Sequence, residues 1–163
     1  MSASPENSQV RNMLAERGLA IPPPQVVPPG VRLTYRRLVR DGSTVYIAGH
    51  GPTLGEGWGF SGKIGVDLSI EEGVKAAELT GLNMLGTIER ELGSLDRVRA
   101  WLKVTGYVNA VAGFTAQAQV INGFSDLVLD LYGHDKLAAR TSLGVPDLPF
   151  NMPVEIDAVL AWS

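Results

Sequence analysis

The sequence predicts a single α+β domain, a mixed sheet of six strands with two long helices on one face. Three observations carry this prediction. Residues 32–49 are rich in strand formers and are bent at Asp41-Gly42, the strongest short-range hairpin signal. Two helical stripes with start and stop signals then alternate with segments of period two, which places both helices against one side of a mixed sheet. Finally, 163 residues with 45% apolar and 19% charged side chains suffice for one well-buried core and are too few for two.

The elements follow in order. In residues 4–18, Val10, Met13 and Leu14 recur at helical spacing, Pro5 suits a first helical turn and Gly18 suits a stop. Pro22, Pro23, Pro24, Pro28 and Pro29 then favour an extended polyproline path. Residues 1–29 are thus read as a leading helix and a proline-rich tether, and residues 30–163 as the domain. Strands are expected over residues 32–40 and 44–49. Seven glycines stand from Gly49 to Gly65. Within them Gly57-Trp-Gly-Phe-Ser-Gly62 fits GxGxxG, but it follows no strand and opens no helix, so a dinucleotide site is rejected. A short third strand is expected near Lys63.

The first long helix opens with the capping box Ser69-Ile-Glu-Glu72. Its apolar stripe of Val74, Ala77, Gly81, Met84, Leu85, Ile88 and Leu92 runs to a stop at Gly93. From Val98 to Val108, Leu102, Val104 and Val108 alternate with Trp101, Thr105 and Tyr107, a strand with two unlike faces. The second long helix is expected over residues 114–132, with Val120, Ile121, Phe124, Leu127, Val128 and Leu131 inward and Gly133 as its stop. Residues 140–145 and 153–162 read as the last two strands. A sheet face carrying Trp101 and Tyr107 is too aromatic for plain solvent, which predicts that subunits associate over it.

Charge and composition exclude several functions. The net charge is −3, from 14 basic and 17 acidic residues, with no dense basic run, so nucleic acid is not expected as a partner. There is no cysteine, which removes disulfides, thiolate metal sites and cysteine nucleophiles. His50 and His134 are the only imidazoles and have no ligand spacing around them, so no metal is expected. No signal segment and no apolar run of roughly 20 residues is found, so a cytoplasmic protein without a membrane partner is expected.

One constellation can do chemistry: Arg140, then Leu148-Pro149, then Val154-Glu-Ile-Asp-Ala158. Alternation puts Glu155 and Asp157 on one side of an otherwise aliphatic strand. An arginine fork matches a carboxylate, and a carboxyl in partly dry surroundings can accept or deliver a proton. On spacing alone, a solvated arginine and the polar half of an alternating strand explain the same residues.

The stretches Ala139-Arg-Thr-Ser-Leu-Gly-Val145, Leu148-Pro149 and Val154-Glu-Ile-Asp-Ala158 resemble the signature of the YjgF/YER057c/UK114 (Rid) family. Tyr46-Ile-Ala-Gly-His-Gly-Pro52, Gly65-Val-Asp-Leu-Ser69 and Gly93-Ser-Leu-Asp-Arg-Val98 agree, and the resemblance runs from residue 30 to 162. Gly62-Lys-Ile-Gly65, Gly106-Tyr-Val-Asn109 and Asn122-Gly-Phe-Ser-Asp126 look most like its chorismate mutase-like branch. The resemblance implies a chorismate mutase-like fold in a homotrimer, with a central β-barrel and clefts between subunits. It further implies hydrolytic deamination of enamine or imine carboxylates, 2-imino acids or aminomuconate-type compounds, without a cofactor. Arg140 would bind the substrate carboxylate and Glu155 would manage the attacking water, with Tyr35, Gly49 and Ser142 lining the cleft. His50 and Asn122 are further candidates, His50 as an added base where the family has glutamine. Two other readings compete: a trimer that binds a small carboxylate without turnover, and a chorismate mutase-like activity, which would need further cations around Arg140.

Overall fold

The computed structural model describes residues 8–163. The expected start of the leading helix, with Pro5, lies outside the described residues. Helix α1 spans Gln9–Glu16. It is capped by the Ser8 hydroxyl, which accepts from the Arg11 N–H and donates to Asp96, while the Asp96 carboxylate also accepts from the backbone N–H groups of Gln9 and Val10. Val10 and Leu14 are buried, and Arg11 pairs with Glu89. The helix is therefore docked onto the layer behind it. The proline segment is held too: the Val26 N–H donates to the Gly55 carbonyl at 2.9 Å, and Arg37 donates to the Gln25 side chain at 3.0 Å.

Seven strands and two long helices follow: β1 (Leu38–Asp41), β2 (Thr44–His50), β3 (Thr53–Leu54), β4 (Gly57–Trp58), α2 (Ile70–Leu92), β5 (Val98–Asn109), α3 (Gln117–Tyr132), β6 (Ala139–Val145) and β7 (Val154–Trp162). The main sheet has five strands in the order β1-β2-β7-β5-β6, where only β5 and β6 run parallel. The expected sixth strand near Lys63 is reduced to single bridges of Ile64 with Leu68 and Ala110. In its place, the glycine stretch folds a separate two-stranded hairpin, β3-β4. The first strand is also shorter than the expected 32–40. A register shift in β2 between Ile47 and His50 breaks the edge, and beyond Leu38 one Ala48 N–H to Arg37 carbonyl bond remains.

Both helices lie on one face of this sheet. The Ser69–Glu72 capping box forms as expected, and Gly93 closes α2 in the left-handed conformation at φ 83°. The two helices cross closely, because a Cβ on Gly123 would overlap the Val74 carbonyl oxygen. Between helices and sheet sit Met84, Leu85, Ile88, Ile121, Phe124, Ile156 and Leu160, all buried.

One facing was expected the other way round. Trp101 is 1% exposed and meets the Phe124 ring edge-on at 5.3 Å, whereas Leu102 points outward at 47% exposure. Register shifts between Val98 and Ala100 and between Trp101 and Lys103 on β5 each insert one residue, so alternation changes phase at the first and returns to the expected phase at the second. The open face therefore carries Val39, Tyr46, Lys103, Thr105, Tyr107, Leu143 and Val159 rather than Trp101. Tyr46 and Leu143 are among its well-exposed apolar side chains.

Candidate functional site

Arg140 sits on β6 opposite Val104 of β5, a buried residue on the helix side of the sheet. Its guanidinium turns onto α3. One terminal nitrogen donates to Asn122 Oδ1 and to Ser125 Oγ, both at 2.9 Å, and the other donates to the Ala118 carbonyl at 3.3 Å. A guanidinium has five N–H donors, so two of them, including Nε–H, remain for a ligand. Ser142 lies two residues along on the same face, with its hydroxyl buried and without a partner among the described residues. Arg140, Asn122 and Ser142 thus gather at one edge. Ser125 joins them, and sequence reasoning passed over it; its place three residues beyond Asn122 on the same helix face was the available signal.

Glu155 lies elsewhere. On β7 it stands opposite Tyr107 of β5, on the open face, with Asp157 two residues further. Its carboxyl folds down onto the backbone of Gly49: a methyl at Gly49 would overlap Oε1 and lie 2.8 Å from Cδ. Only a residue without a side chain leaves that room. Burial pushes the Glu155 carboxyl above the usual range, and the neighbouring Asp157 charge adds to the effect. Such a group holds its proton to higher pH and returns it readily. Tyr35 precedes β1, and the Ala48 N–H to Arg37 carbonyl bond carries that segment beside the Gly49 end of β2. Its ring is 54% exposed. Asp157 shares the face with Glu155 as the alternation of β7 predicted, and Tyr107 stands opposite Glu155 without having been singled out as a site residue; the alternation of β5 was the signal for it.

The candidate residues therefore form two half-sites on opposite faces of one sheet. Arg140 and Glu155 are two strands and about three residues apart, roughly 14 Å between backbones, and their side chains point away from each other. An arginine and a glutamate cannot meet through a sheet at that separation. A cleft containing both within one chain is excluded.

His50 belongs to neither half. It is 5% exposed, with Nδ1 at 2.7 Å from the Ala48 carbonyl and Nε2 at 2.8 Å from Thr87 Oγ1. A carbonyl can only accept, so Nδ1 carries the hydrogen and Nε2 accepts from the threonine hydroxyl. Burial, with the charges of Arg37 and Arg90 adding to it, lowers its pKa to about 4. Both ring nitrogens are committed to holding the β2 bulge onto α2, so the expectation of an added general base is corrected to a positioning role. His134 is exposed in a single 3-10 turn after α3.

A pocket of about 510 Å³ opens beside Lys63, Phe114, Gln117 and Val145, at the start of α3. It includes neither Arg140 nor Glu155 and lies about 13 Å along β6 from Arg140. Among the described residues no group of three metal-ligating side chains occurs, and no helix is long and apolar enough to cross a membrane.

A mixed five-stranded sheet backed by two helices, with an arginine on the β6 edge and a glutamate near the start of β7, defines the chorismate mutase-like α+β class. Residues 23–158 match the family described as "YjgF/chorismate_mutase-like, putative endoribonuclease", and the chain belongs to that family. It is 35% identical over 127 residues to Protein TCP17 of Trypanosoma cruzi, covering 77% of this chain and 79% of that protein. Among solved structures it resembles Atu1372 of Agrobacterium tumefaciens, a protein of unknown function, at 31% identity and a TM-score of 0.85, over 95% of this chain and 93% of that one. A Shewanella oneidensis protein described as "a putative endoribonuclease" shares the fold at 23% identity and a TM-score of 0.84, over 95% and 99% of the two chains.

Proposed function

We propose that the protein is a hydrolytic deaminase of small enamine or imine carboxylates, working in clefts where the Arg140 edge of one chain meets the Glu155 face of another in a homotrimer. The observation that carries this reading is the split site: a guanidinium held by α3 with donors to spare, and a raised carboxyl seated on Gly49, on faces only a second chain can bring together. The unpartnered apolar groups of the open face, Tyr46 and Leu143 among them, favour the same association.

The chemistry suits these groups. The Arg140 fork fixes the substrate carboxylate and so orients the C=N carbon. Glu155 in its carboxylate form takes a proton from a water whose oxygen bonds to that carbon. Returned to nitrogen, the proton completes a carbinolamine; its hydroxyl then gives up its own proton, which Glu155 passes to the nitrogen as the carbonyl forms and the C–N bond breaks, and ammonia and a 2-keto acid are released. One water is consumed and nothing is oxidised. The endoribonuclease description of relatives is less suited to this chain, since a net charge of −3 offers no track for a phosphate backbone.

The test is release of ammonia and keto acid from freshly generated 2-iminobutyrate. The wild type is expected to accelerate hydrolysis and Arg140→Ala to lose at least about tenfold in kcat/KM, with one charged hydrogen-bonded anchor removed. Equal rates would reject the assignment. Ligand binding without turnover would favour the non-catalytic carboxylate-binding trimer.

A further inference from the structure

The Gly49–Glu155 contact has an aromatic neighbour that the chemistry above does not use. Gly49 and Gly51 flank His50, which points into the core, so both present their open sides away from it. Gly49's side is filled by the Glu155 carboxyl. Gly51's is filled by the Met152 thioether and by the edge of the Trp58 indole, whose Cζ3 lies 3.4 Å from where a Cβ would stand. Gly49 and Gly51 are two residues, about 7 Å of extended chain, apart, so the Glu155 carboxyl and the indole edge meet the same stretch of backbone at neighbouring open positions.

Trp58 is not alone there. The ring of Phe150 stacks on it at 5.1 Å with 24° between planes, and Phe150 is 51% exposed. Its backbone is left-handed, φ 56°, and so is that of Asn151, φ 57°. Two consecutive non-glycine residues in that region are strained, and strain of this kind persists only where surroundings enforce it. They do here. The Asn151 carbonyl accepts from the Gly62 N–H at 2.8 Å, the Met152 N–H closes onto the Pro149 carbonyl at 3.2 Å, and Asn109 donates to the Met152 carbonyl at 3.0 Å. Beyond its stack on Trp58, an apolar ring held half in water by a pinned, strained turn gains little burial there, since burial would favour turning it inward.

We infer that Trp58 and Phe150 form the side-chain wall of the cleft and select substrates whose side chain is a large planar apolar group, an aryl 2-imino acid rather than a short alkyl one. This rests on the deaminase reading for its reaction but not for its binding. A planar substituent extends the Trp58–Phe150 stack by offset contact, which a methyl or ethyl group cannot reach.

Imines generated from phenylalanine and from 2-aminobutyrate are compared as substrates, and phenylpyruvate and 2-ketobutyrate as ligands by calorimetry. The wild type is expected to prefer the aryl member of each pair by about tenfold or more. Phe150→Asn, which tolerates the left-handed turn while removing the ring, and Trp58→Leu should each abolish most of that preference. A preference unchanged in both variants, or lost together with the oligomer in sedimentation, would overturn the inference, the second result making the pair a subunit contact. If no imine is turned over while phenylpyruvate still binds more tightly and the variants lose that advantage, the deaminase reading fails and the aromatic wall stands. If both imines are hydrolysed with no aryl preference, the reverse holds.

Discussion

Gly49→Ala separates the proposed chemistry from the fold. The added methyl would overlap Glu155 Oε1 and come within 2.8 Å of Cδ and 3.1 Å of Cγ, so the carboxyl must leave its seat. Overpacking a closed core costs about 1–3 kcal/mol. Here the atoms in the way are the end of a flexible, half-buried side chain, which can swing toward solvent, and the backbone of Gly49 is not in the left-handed region. The stability loss should therefore stay below about 1 kcal/mol. The activity loss should not be small. A positioned proton-transfer group is worth about 10²–10⁴ in rate, so kcat/KM for the imine should fall at least about 100-fold, roughly 2.7 kcal/mol of transition-state stabilisation. Gly57→Ala is the matched control, because a Cβ there meets nothing within 4 Å. Thermal unfolding and steady-state keto-acid release on the three proteins decide the matter. A Gly49→Ala enzyme with near-wild-type kcat/KM would refute the reasoning that the seated carboxyl does the proton transfer.

Two further outcomes concern pH and charge. The folded protein binds the Glu155 proton more tightly than the unfolded chain does, so ionisation of this carboxyl removes stability as pH rises through its raised pKa; Glu155→Gln should be at least as stable as wild type at pH 7, by urea unfolding, while losing activity. His50 acts in the opposite sense. Its folded pKa of about 4 lies below the ordinary 6.5, so the stability it gives is complete above pH 6.5 and is lost as pH falls toward 4, by about 3 kcal/mol in all. His50→Gln, whose amide can still donate to the Ala48 carbonyl and accept from Thr87, should show a shallower fall between those pH values in the same unfolding series, and His50→Leu should be destabilised at pH 7.

What could be read along the chain was local or periodic. Ser69 with Glu72, Gly93 with its positive φ, and the stripe from Val120 to Leu131 each announce themselves within a few residues, and each stands where expected. The positions of Arg140 and Glu155 on their strands were legible for the same reason. Their opposition across the sheet was not, because it depends on the parallel register of β6 on β5, set by Val104 meeting Arg140. The bulge at Trp101–Lys103 was hidden too. With its companion at Val98–Ala100 it brackets the reversed stretch around Trp101, the first inserted residue turning the facing over and the second restoring it by Val104, and neither leaves a mark in an alternating pattern. Ile64 fell short of a strand because glycines at 62 and 65 take positive φ on either side of it. His50 looked like a loop base because its partner, Thr87, is 37 residues away.

Subunit complementation tests the shared cleft most directly. Arg140→Ala and Glu155→Gln chains, each expected to be strongly impaired alone, are unfolded together and refolded in equal amounts. If each cleft takes its arginine from one chain and its glutamate from the next, about a quarter of the clefts in random mixtures carry both intact residues, and activity returns to about that fraction of wild type. Mixed oligomers that form and remain as inactive as their parents would contradict a site shared between chains.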